Sequence, residues 1–151
     1  MSQAQYLIIV LGIIIVGVAV AMGMKIFNEN RKKANLDALA GETYELAIDA
    51  QRWMRKPEFF GGGGDTCAET CDWSDATLPA MGYASNSDGE YVGAHGVMSL
   101  EKSDPLVLQV IGTNSEMGNQ VIIDVYGTDP FDVTTDLVID YVDGGFVAGN
   151  N

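Results

Sequence analysis

Two cysteines, one histidine and a late run of aspartates are the residues whose types suit chemistry. Cys67 and Cys71 close the segment CAETC. Two thiolates fill half of a tetrahedral zinc site, and the one histidine, His95, lies far along the chain, so a metal reading lacks ligands. Redox pairs carry two intervening residues, not the three found here. The pair is read as a disulfide tying a long loop, with free thiols and a metal site as alternatives; its short ring makes the entropic gain small. His95 has no serine or cysteine nucleophile in a recognisable setting and is expected to be a solvated loop residue. Asp129, Asp132, Asp136, Asp140 and Asp143 offer oxygens of the kind calcium prefers, but not at EF-hand spacing, and are read as solvent-facing strand acids. Gly61 to Gly64 lacks the Lys-Ser/Thr of a phosphate loop and is read as a flexible turn. Tyr6, Phe27, Tyr44, Trp53, Phe59 and Phe60 are read as ordinary core rather than an electron path. No catalytic residue, cofactor or metal site is expected, and the chain is not read as an enzyme.

The elements that must carry these residues follow from how charge and oil are distributed. The chain has 151 residues, enough for one modest domain with an appendage. Its 8 Lys+Arg against 21 Asp+Glu give a net charge of −13, which argues against nucleic-acid contact, because phosphates need clustered cations. At 47% hydrophobic it is no disordered acidic tail. Residues 1–24 carry no charged side chain, and Tyr6 to Met24 reads YLIIVLGIIIVGVAVAMGM, without charge, proline or amide. As a helix rising about 1.5 Å per residue, this stretch is about 28 Å long, close to the hydrocarbon thickness of a bilayer. It shows no polar stripe, which a core helix of a small globule would have.

Residues 25–56 hold seven of the eight cations, among them Lys25, Arg31, Lys32 and Lys33. Leu36, Leu39, Thr43, Leu46, Ala47, Ala50, Trp53 and Met54 recur at three- and four-residue steps, one apolar stripe of a helix. Pro57 ends it, since the residue before proline is pushed out of the α region. Residues 2 to about 55 are therefore read as one long helix, apolar all round at first and amphipathic afterwards. Residues 57–96 read as a glycine-rich connecting loop that carries Cys67 and Cys71. Residues 97–151 read as an antiparallel β domain of about four strands: Val97 to Leu100, Leu106 to Ile111, Val121 to Tyr126 and Leu137 to Val142. The fold class is α+β, with the amphipathic half of the helix covering the sheet; Leu36, Leu39, Leu46, Ala50, Trp53 and Met54 are the expected contacts.

Topology signals conflict. The positive-inside rule places Lys25 and the Arg31-Lys32-Lys33 cluster in the cytoplasm. The cysteines and the acidic surface of residues 57–151 point to export. A clipped basic leader, or export machinery that recognises the helix itself, resolves the conflict.

MSQAQYLIIVLGIIIVGVAVAMGMKIF resembles the mature N-terminus of a type IV pilin or pilin-like protein. The likeness lies in a short uncharged start, a polar residue at position 5, about twenty apolar residues with scattered glycines, then an amphipathic helix, a loop and a sheet. Gln5 stands where the family usually has Glu, and Met22 where it often has Pro. In the family the carboxylate at position 5 neutralises the terminal amine of a neighbouring subunit. Gln5 accepts a hydrogen bond but cancels no charge, which brings in a minor pilin or secretion pseudopilin as alternatives. The resemblance implies an extracellular filament, a homopolymer built by pilus assembly machinery from subunits that reside in the inner membrane beforehand.

The same outcome has a physical argument. Once outside lipid, such a helix must bury its whole circumference, at about 1.5–3 kcal/mol for each large apolar side chain. A bundle of many copies does this, and a contact whose rotation does not close gives a filament rather than a ring. The expected filament core is Gln5, Tyr6, Leu7, Ile8, Ile9, Val10, Leu11, Ile13, Ile14, Ile15, Val16, Val18, Val20, Met22 and Met24. Gly12, Gly17 and Gly23 are expected to allow close helix approach or local unwinding. A monomeric surface protein anchored by the same helix is the rival expectation.

Overall fold

The computed structural model describes residues 2–64, 67 and 71–139. The first element is a single helix, α1, spanning Gln3–Arg55. Two short 3-10 turns follow, Glu58–Phe60 and Pro79–Met81. Five strands come next: β1 (Tyr91–Val92), β2 (Val97–Asp104), β3 (Val107–Asn114), β4 (Asn119–Val125) and β5 (Val133–Ile139). They form one antiparallel sheet in the order β1-β2-β3-β4-β5. By contacts the chain divides into two compact units, Met1–Ala34 and Asn35–Asn151.

The fold is α+β, as the periodicities indicate, with five strands where about four were expected. The extra strand, β1, lies inside the stretch read as connecting loop and pairs Tyr91 with Met98 and Val92 with Val97. Two residues show no alternation, so only the partner strand defines it. β5 begins at Val133, four residues before the expected start, because VTTD pairs with β4 although it lacks an apolar run. The expected strand residues 140–142 lie outside the described residues, as do Asp140 and Asp143.

Alternation sets the sheet's inner face. Leu108, Val110, Val121, Ile123 and Val125 are buried, and the register sets Leu108 opposite Val125 and Val110 opposite Ile123. Between them the outward pair Gln109 and Asp124 is joined by a 2.8 Å hydrogen bond from Gln109 Nε2 to Asp124 Oδ1. One face is therefore dry, and the other carries polar pairs around the half-buried Ile111 and Ile122. The buried helix residues Leu36, Leu39, Thr43, Leu46, Ala47, Ala50, Gln51, Trp53 and Met54 include every position of the sequence stripe. All of them but the polar Thr43 and Gln51 belong to the same core cluster as the inner strand residues. Gly112 sits where β3 and α1 come closest: a Cβ there would collide with Thr43 Oγ1 and press on Leu39. Thr43 meets the cost of its own burial by donating to Leu39 O at 2.7 Å.

The glycine run after α1 is a helix cap, not the flexible turn its composition suggests. Gly63 N donates to Trp53 O and Gly64 N to Lys56 O, each at 3.0 Å, so two carbonyls beyond the reach of the helix ladder are satisfied. Gly61 closes the 3-10 turn with φ 77°. Trp53 Nε1 donates to Gly61 O at 3.1 Å. A side chain at Gly63 would strike Met54 and Trp53, so the segment passes too close to the helix for anything larger.

Candidate assembly surface

The surface begins at the first turn of α1. Ser2 stands at the cap position, and Gln5, three residues on, turns its side chain back so that Oε1 accepts from Ser2 N at 3.1 Å. Gln5 N donates to Ser2 O at 3.0 Å. This is the return half of a capping box, with Gln in the acceptor role. Gln5 is thus occupied within its own helix.

From Tyr6 to Met24 no residue is buried inside the chain. The large apolar side chains range from 50% exposed at Ile9 to 71% at Leu7. Tyr6, Ile8, Val10, Leu11, Ile13, Ile14, Ile15, Val16, Val18, Val20, Met22 and Met24 fall within that range. Exposure on every side of a helix leaves no face for water. A Cβ at Gly12, Gly17 or Gly23 would meet nothing within 4 Å, so these positions are open to close approach by another helix. The helix is long and apolar enough to cross a membrane by length and composition. Ile26 and Phe27 continue the exposed apolar surface, and Lys25, Arg31 and Lys33 are exposed beside them.

In the unit Asn35–Asn151, Leu36, Leu39, Leu46, Ala50, Trp53 and Met54 are all buried in the core. Of the aromatics read as core, Trp53 alone belongs there. Tyr6, Phe27, Tyr44, Phe59 and Phe60 are exposed, Phe59 at 93%: Tyr6 and Phe27 lie on the uncovered part of α1, the helix stripe leaves Tyr44 outside, and Phe59 and Phe60 ride on the capping turn.

Cys67 and Cys71 are joined in a disulfide with Cα atoms 4.1 Å apart. Cys71 is buried and Cys67 packs against the core. His95 is an exposed loop residue, as expected, but it has a partner on α1. It sits in the β1–β2 turn, closed by Gly93 N to Gly96 O at 2.9 Å, with its Nδ1 2.7 Å from Glu42 Oε1. Its carbonyl accepts from Asn35 Nδ2 and Asn114 Nδ2, at 3.2 and 2.6 Å. These contacts fasten the turn to α1. The nearby Tyr83 hydroxyl donates to Asp49 Oδ2 at 2.7 Å. Burial, then that hydrogen bond, pushes the phenol above its usual range.

Asp136 is a strand acid on β5, opposite Ile122, whereas Asp129 and Asp132 build the β4–β5 turn. Asp132 Oδ2 accepts from Asp129 N at 3.2 Å, and Asp132 N donates to Asp129 O at 3.0 Å. Among the described residues no group of three or more His, Cys, Asp or Glu is placed to hold a metal ion. Gln51, buried on α1, was not singled out by its sequence position. Its Nε2 donates to Gly127 O and Asp129 O, both at 2.9 Å, and clamps this turn to the helix. A polar residue inside an apolar stripe is the signal that marks it. An open groove of about 490 Å³ lies at the same end of the sheet, lined by the disulfide, Asp104, Leu106, Tyr126, Asp129 and Asp132 among others. No protein-family model, curated protein or solved structure matches this chain.

Proposed function

We propose that this chain is the structural subunit of a pilin-like filament at the cell surface, with no catalytic role. The apolar start of α1 holds the subunit in a membrane beforehand and forms the shared filament core afterwards. The observation that carries this reading is the apolar surface of Tyr6 to Met24, exposed on all sides of the helix and buried nowhere in the chain. In water that surface is untenable, since each large side chain contributes about 1.5–3 kcal/mol on burial. A bilayer covers it for a single copy; a bundle of copies covers it outside the bilayer. The open glycines and the acidic, disulfide-bonded unit suit the second arrangement, with the helices inside and the acidic units facing solvent.

Electron microscopy of material sheared from cells expressing the chain tests the reading, with fibres labelled by antibody to residues 35–151 expected. Ile14→Asp puts a charge at the middle of the apolar run and should abolish the fibres. Normal fibres from that variant refute the core role. Intact cells with membrane-held chain and no fibres establish the anchored monomer instead.

A further inference from the structure

Resting on the filament reading, we infer that the basic and apolar surface of α1 between Met24 and Lys33 docks into the acidic groove of a second copy. The docking surface is a helix stretch with two kinds of exposed group. Lys25, Arg31 and Lys33 supply cations, and Ile26 and Phe27, 58% and 63% exposed, supply apolar area. The groove of about 490 Å³ offers the complement on both counts. Leu106 and Tyr126 line it and are 43% and 47% exposed, a place for aliphatic stems. Asp104, Asp129 and Asp132 line it with carboxylates.

These carboxylates stand where their turns put them. Asp104 Oδ1 accepts from Leu106 N at 3.0 Å, and Asp132 Oδ2 from Asp129 N at 3.2 Å. Asp129 Oδ1 lies 3.9 Å from Arg55, with its side chain 79% exposed. Residues 57–151 contain one cation, Lys102, whose Nζ donates to Ser74 O at 2.7 Å. Arg55 of the same chain offsets Asp129 in part, at 3.9 Å; further counter-charge is on offer between residues 25 and 33, which hold four of the chain's eight cations. A second copy is the occupant that brings them with apolar side chains interleaved. The contact joins two different surfaces, so it repeats without closing and adds to a filament. Apolar helix contact supplies the bulk of cohesion, while charge complementarity fixes which neighbour is chosen and at what height.

The test uses filaments grown from full-length chains, half of them labelled with ¹⁵N, and joined by a carbodiimide that links amines to carboxylates without a spacer. A light peptide containing Lys25 or Lys33 joined to a heavy peptide containing Asp104, Asp129 or Asp132 is expected. In parallel, Arg31→Glu with Lys33→Glu should raise the concentration needed for assembly about tenfold, since a few exposed pairs of about 0–1 kcal/mol are reversed. Adding Asp129→Lys should recover most of that loss. Crosslinks from Lys25 or Lys33 to other acids only, or reversal without effect on filaments that still form, overturns the inference and leaves the filament reading standing. Reversal that releases the chain from anionic phosphatidylglycerol vesicles while assembly is unchanged makes the basic stretch from Lys25 to Lys33 a lipid-facing element, and likewise overturns it. Failure of the unaltered chain to form any filament removes both readings together.

Discussion

Tyr83 shows how one polar contact ties a loop to the helix and makes stability depend on pH. Its hydroxyl donates to Asp49 Oδ2, and its ring meets Tyr91 edge-on with centroids 5.0 Å apart. Burial and the carboxylate both disfavour the phenolate, so the folded chain holds this proton more tightly than the unfolded one. The stability it contributes is complete below the unfolded phenol value of about 10 and falls as pH rises past it, because only the unfolded chain then gains by ionising. Denaturant unfolding followed from about pH 8 to about pH 11 should show this alkaline decline. Tyr83→Phe should lower stability by about 1 kcal/mol at neutral pH and flatten the decline. An unchanged alkaline slope would assign the effect to other groups. None of this was legible in the sequence. Asp49 and Tyr83 lie 34 residues apart, and neither belongs to a motif. The same holds for His95 and Glu42, 53 residues apart: the histidine is exposed in a loop as it reads, and its contact with the helix has no motif to announce it.

Elements were legible in proportion to how much periodicity they carry. The helix stripe from Leu36 to Met54 is buried position for position, because eight residues at helical spacing leave one geometry open. The inner faces of β3 and β4 follow from strict alternation. β1 and the start of β5 were missed, since a strand of two residues, or one written in threonine and aspartate, is specified by its neighbour's hydrogen bonds rather than by its own pattern. The glycine cap was misread for a related reason: composition reports conformational freedom, not the helix carbonyls that use it. Gln51 joins two elements and allows the coupling to be measured. Gln51→Ala leaves the carbonyls of Gly127 and Asp129 without this donor and should cost about 1–3 kcal/mol in thermal unfolding. Hydrogen exchange should quicken first at Tyr126 and Asp132, whose amides close the β4–β5 turn. Gln51→Glu should not restore protection, because a carboxylate turned towards two carbonyl oxygens has nothing to donate.

At the scale of the whole molecule the two compact units obey different rules, and the difference can be put to a single experiment. In Asn35–Asn151 the core contains the helix stripe, the inner strands, Trp73 and the disulfide-bonded Cys71, and among the described residues its first buried member is Leu36. In Met1–Ala34 every described large apolar side chain is exposed. A chain beginning at Asn28 should fold without detergent and stay monomeric. The nearest cost is a frayed first turn, worth about 1 kcal/mol if no cap replaces the lost helix. Its Cys67–Cys71 bond should form under oxidising conditions. The full chain should instead require detergent, lipid or its own polymer. Sedimentation of the two forms in buffer, with mass spectrometry of the disulfide, checks this. If the shortened chain aggregates or fails to melt cooperatively, the start of α1 is needed to fold the second unit. In that case polymerisation would have to remove part of each subunit's own core, and an apolar surface kept solely for neighbours would no longer explain assembly.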